Sequence, residues 1–85
     1  MTKYMPHPMI NTLLRKRSAE LRKHSCYSTW YYDKDRKKIV ICTTHPGFWI
    51  GLHGVATNAL QENINALLLE HNMDPITISY IECES

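Results

Sequence analysis

The sequence predicts an α+β domain in the order α-β-β-α-α-β, with a three-stranded mixed sheet and helices on one of its faces. Three observations carry this. The hydrophobic period switches from helical to alternating and back again along the chain. Two alternating segments in the first half are joined only by the polar stretch Asp33-Lys34-Asp35-Arg36, as in an antiparallel hairpin. The third alternating segment follows the second through a helical crossover, which sets it parallel to its predecessor. Eighty-five residues suit one small domain.

Residues 1–8 hold two prolines and no periodicity, and read as a flexible N-terminal tail ahead of a single domain over residues 9–85. Residues 9–24 read as a helix, started by Pro8 or Asn11. Its Ile10, Leu13, Leu14 and Leu21 share one side, and Arg15, Lys16, Arg22 and Lys23 fall elsewhere. Residues 25–32 are rich in Tyr, Thr and Trp, which suits a strand. Alternation sends Tyr27, Trp30, Tyr31 and Tyr32 to both sheet faces, one set into the core and the other outward. Residues 37–44 form the next strand, with Ile39 and Ile41 on one face and Val40 and Cys42 on the other.

His45-Pro46-Gly47 stops that strand, and residues 46–50 fit one helical turn with proline at its first position. Of Phe48 and Trp49, one is expected inside and one beside the following turn. Residues 55–71 give the clearest helix. Leu60, Ile64, Leu67 and Leu68 make its apolar stripe, with Gln61, Glu62, Asn65 and Glu70 outside. Asn72-Met73-Asp74-Pro75 ends it. Residues 76–83 close the sheet, with Ile76, Ile78 and Tyr80 alternating against Thr77, Ser79 and Ile81.

Net charge is only +2, but it is divided unevenly. All ten Lys and Arg lie in residues 1–38, with three acids; residues 39–85 carry five acids and no Lys or Arg. A phosphate-binding face would therefore draw its cations from the first half. The longest uncharged stretch, residues 39–61, is too polar for a membrane span, and the N-terminal region lacks the apolar core of a signal peptide. An intracellular protein with no membrane contact is expected. Cys26, Cys42 and Cys83 are odd in number and widely spaced, so reduced thiols are expected rather than a disulfide framework. Cys42-x-x-His45 is a single short pair, too few ligands for a structural zinc site, so no metal or other cofactor is expected.

The chemistry-bearing segment is Pro46-Gly47-Phe48-Trp49-Ile50-Gly51-Leu52-His53-Gly54, between a strand and a helix. A Gly-x-x-Gly turn that feeds a helix can press bare backbone N–H groups against a phosphate. The same glycines also suit a plain turn that packs two helices closely. The turn lacks the Gly-Lys-Ser/Thr of a nucleotide-binding P-loop, and no carboxylate pair adjoins it for acid–base work.

With these residues and this element order, the chain resembles a type II, prokaryotic-type K homology (KH) domain. It is similar to the KH domain of a small-subunit ribosomal protein that lies near the mRNA channel. The resemblance spans roughly residues 10–84 and is sharp over residues 39–54. It implies an RNA-binding chain, ribosomal or ribosome-associated, and no enzyme. About four nucleotides of single-stranded RNA would lie in a groove, with phosphate facing Gly51, Leu52, His53 and Gly54. Ile50, residues 55–60 and the last strand near Ile78 would form the groove floor, and base edges would meet that strand's backbone. Arg15, Lys16, Arg17, Arg22 and Lys23 on the first helix would hold RNA or rRNA backbone as a basic patch. The family usually carries Lys or Arg between its two glycines, whereas here Leu52 and His53 stand there. The alternative is a degenerate KH fold serving as a protein–protein interaction module, with contacts that depend on Trp30 or Tyr32.

Overall fold

The computed structural model describes residues 5–84. Helix α1 (Pro8–Arg22) is followed by strands β1 (Ser28–Asp33) and β2 (Lys38–Thr43), then by the short helix α2 (Pro46–Ile50). A 3₁₀ turn (Leu52–Gly54) leads into α3 (Val55–Glu70), and β3 (Thr77–Glu82) completes the sheet. The fold is α+β, as the periodicities require.

Residues 1–4 of the expected tail lie outside the described residues. From Met5 onward the chain is engaged: Met5 packs against the core and the His7 ring lies 4.4 Å from that of His71. His7 also caps α1, its side chain accepting the Met9 N–H at 3.1 Å, with Pro8 at the first helical position. The start at Pro8 is one of the two the sequence offers; the His7 cap is not read from the sequence, because histidine is not among the favoured capping residues. Ile10, Leu14 and Leu21 are buried on one side of the helix, with Leu13 packed partly against them.

β1 and β2 pair antiparallel, Ser28 opposite Thr43 through Asp33 opposite Lys38. Asp33 closes the hairpin by accepting the N–H groups of Asp35 and Arg36, which is the local bonding that makes aspartate a turn residue. β2 and β3 pair in parallel, Lys38 beside Thr77 through Thr43 beside Glu82, so β2 is the central strand. One sheet face carries the rows Tyr32–Ile39–Ile78 and Trp30–Ile41–Tyr80. This face meets Ile10 and Leu14 of α1, Trp49 of α2, and Ile64 and Leu68 of α3 in the core. Each fully buried aliphatic side chain there contributes roughly 2 kcal/mol relative to exposure. The other face carries Tyr31, Val40, Cys42, Ser79 and Ile81.

Trp30 and Tyr32 therefore belong to the core side, Tyr32 at 9% exposure and Trp30 donating its indole N–H to Asn11 Oδ1 at 3.1 Å. This corrects the expectation that they would meet a partner; the outward aromatics are Tyr27 and, half-buried, Tyr31. No helix among the described residues is long and apolar enough to cross a membrane.

Candidate functional site

The corner from β2 into α2 is held by a directional chain of hydrogen bonds. Trp49, 1% exposed, donates its indole N–H to Ser28 Oγ at 2.8 Å, and Ser28 donates to Thr43 Oγ1 at 3.0 Å. Thr43 Oγ1 also accepts the His45 N–H, so its own proton goes to Cys26 Sγ at 3.2 Å. Cys26 in turn donates to the His45 carbonyl at 3.6 Å. Aligned bonds of this kind reinforce one another where water is excluded. They fix the direction in which residues 45–50 leave the sheet. Trp49 points inward and Phe48 outward at 45% exposure.

The glycine turn follows at once. Gly51, His53 and Gly54 all have left-handed φ values, of 76°, 54° and 76°. The two glycines do different work. A Cβ on Gly51 would lie 2.8 Å from the Ala56 Cβ and 3.0 Å from its N, so Gly51 lets α2 close onto the first turn of α3. A Cβ on Gly54 would meet nothing nearer than 3.8 Å, so only its φ calls for glycine. Gly47 meets open space. The packing use of the turn thus applies to Gly51, while Leu52 and His53 project outward, Leu52 at 79% exposure. Ile50 is half-buried at the end of α2.

The basic side chains of α1 do not form one patch with this turn. Arg17, half-buried, reaches across and donates from Nη2 to the Phe48 carbonyl at 3.0 Å. His24, seven residues on, meets the same residue in a T-shaped ring contact, 6.3 Å between centroids. Arg22 instead lines a cleft of about 520 Å³ beside Tyr27, Cys42 and Cys83 at one end of the open sheet face. Arg15, Lys16 and Lys23 are exposed. Among the described residues, no three His, Cys, Asp or Glu side chains gather to hold a metal. Burial and the neighbouring Cys83 push the Cys42 thiol up from its ordinary pKa, which keeps it protonated.

On the other side of α3, the seam with β3 is closed by three rungs of hydrogen bonds. Thr57 Oγ1 bonds the Tyr80 hydroxyl at 2.7 Å. Gln61 Oε1 accepts the Ile78 N–H at 3.0 Å. Asn65 takes both the N–H and the carbonyl of Ile76, at 2.8 and 3.1 Å. Gln61 and Asn65, expected outside the helix, are half-buried partners of the strand. The Ile78 N–H is consequently not offered to a base edge, contrary to the groove expected near Ile78. Burial raises the Tyr80 phenol, against the opposing effects of the Thr57 hydroxyl and the Arg17 charge, so it stays neutral. The signal that marks this seam in the sequence is the spacing of Thr57, Gln61 and Asn65, four apart and hence on one helix face.

No protein-family model matches the chain, and neither a curated protein nor a solved structure matches it.

Proposed function

We propose that this chain is a type II KH-like RNA-binding domain of the cell interior. It holds the sugar-phosphate backbone of single-stranded RNA or rRNA rather than reading bases along β3. The observation that carries this is the Arg17 bond to the Phe48 carbonyl, which joins the basic helix to the segment that opens the glycine turn. Backbone N–H groups at Leu52 and His53, with the positive end of α3, would face phosphate, and Arg17 would add a fixed cation beside them. A ribosomal or ribosome-associated place suits a domain that grips backbone without sequence preference.

Fluorescence anisotropy against a random single-stranded RNA pool, at two salt concentrations, tests the reading. Affinity should fall steeply with salt. Leu52→Asp combined with His53→Asp should abolish binding while the circular dichroism spectrum stays unchanged, because two anions would then face phosphate. Unaltered affinity in that double variant would remove the glycine turn from the site. A second reading, a protein-interaction module, is favoured by the open sheet face, where Tyr27 and Ile81 are about half exposed. It calls for salt-insensitive binding that Tyr27→Ala weakens.

A further inference from the structure

We infer that His45 and Phe48 form a stacking platform for a nucleobase, on the α1 side of the glycine turn and away from the α3–β3 seam. This rests on the RNA-binding reading and supplies what that reading lacks, a place for a base.

The two rings are stacked, 5.3 Å apart and inclined by 19°. Phe48 is 45% exposed and His45 is exposed, so the pair presents aromatic surface to solvent. Its geometry is set in advance. The His45 backbone is held at both ends, its N–H by Thr43 and its carbonyl by Cys26. Its ring is held at Nδ1 by Thr44 Oγ1 at 2.9 Å. Thr44 Oγ1 also accepts the Tyr27 N–H, which ties the His45 ring through Thr44 to the backbone ahead of β1. A pre-set ring loses little freedom when a third ring stacks on it.

The surroundings suit an anionic aromatic ligand. Arg17 donates to the Phe48 carbonyl and the His24 ring packs T-shaped with Phe48. The ion pairs of the described residues lie elsewhere, at Asp33–Arg36 and Lys37–Asp74, and leave Arg17 uncommitted to a carboxylate. Along β3, the rival place for a base, Gln61 takes the N–H of Ile78, Asn65 the N–H and carbonyl of Ile76, and Thr57 the hydroxyl of Tyr80.

The test uses the full chain and two probes. One is an oligoribonucleotide carrying 2-aminopurine, and the other is an abasic ribose-phosphate strand of the same length. The wild-type chain should bind the base-bearing strand about tenfold more tightly, the usual scale for one stacked base, and should quench 2-aminopurine. Phe48→Ala and His45→Ala should each reduce affinity to the abasic level with unchanged thermal melting, and Phe48→Tyr should retain it. Equal affinity of the wild type for both strands, or full quenching in the alanine variants, would overturn the platform while leaving backbone binding in place. Absence of binding to either strand would overturn the RNA-binding reading itself. Poly-glutamate binding as tightly as the base-bearing strand would overturn both in favour of an acidic protein partner.

Discussion

The two flanks of α3 and its glycine turn are built in opposite ways. On the β3 flank, three side chains of α3 bond the N–H and carbonyl of Ile76, the N–H of Ile78 and the hydroxyl of Tyr80, and so close that part of the seam. On the α1 flank the buried chain from Trp49 to Cys26 fixes the backbone from within, while the residues Phe48, His45, Leu52 and His53 stay exposed. The difference separates two uses of polar groups. Where they bond one another along a seam they exclude a guest. Where they brace a corner from beneath they leave its outer surface ready to receive one.

The contrast is most sharply broken at Gly51. Gly51→Ala forces a Cβ into Ala56 and strains a left-handed φ, which should cost about 3 kcal/mol in urea unfolding. Gly54→Ala, with space around it, should cost only about 1 kcal/mol. Equal losses would mean that the turn does not pack α2 against α3 as described. Next comes Asn65→Ala on the closed flank. It leaves the N–H and carbonyl of Ile76, a residue 3% exposed, without their partner, at roughly 2 kcal/mol. RNA affinity should not change; a gain would show that the seam, not the Phe48 side, is where a guest enters.

The smallest effect lies far from both flanks, at the exposed Lys37–Asp74 pair. The hydrogen bond and charge of Lys37 hold the Asp74 carboxyl below its ordinary pKa. Its contribution is present above the ordinary carboxylate value and is lost as pH falls through the lowered one. The Lys37 ammonium is raised by the same bond and charge. Its share is present below the ordinary lysine value and is lost as pH rises through the raised one. Asp74→Asn should flatten only this part of the melting temperature against pH, and leave RNA binding alone.

Much of the fold was legible because its signals are local. Ile39 and Ile41 against Val40 and Cys42, the Asp33 turn and the Ile64–Leu68 stripe each declare a period within a few residues, and α2 has the bounds expected of it. The site was less legible because it depends on pairings across the chain. Gln61 and Asn65 look like ordinary solvent-facing helix residues until β3 is beside them. Arg15, Lys16, Arg17, Arg22 and Lys23 look like one patch by composition, yet helical rotation sends Arg17 to Phe48 and Arg22 to the sheet's open end. The roles of Gly51 and Gly54 are indistinguishable in sequence and differ only through Ala56.

The corner beneath the platform contains its own clock. Cys26 is fully buried and bonded on both sides, whereas Cys42 and Cys83 are half-exposed. A thiol reagent can reach Cys83 and, more slowly because it stays protonated, Cys42 in the folded chain, but it reaches Cys26 only in moments when Thr43 and His45 part from it. The lag between fast and slow alkylation therefore times the opening of the β2–α2 corner in the unmodified sequence, with no label introduced.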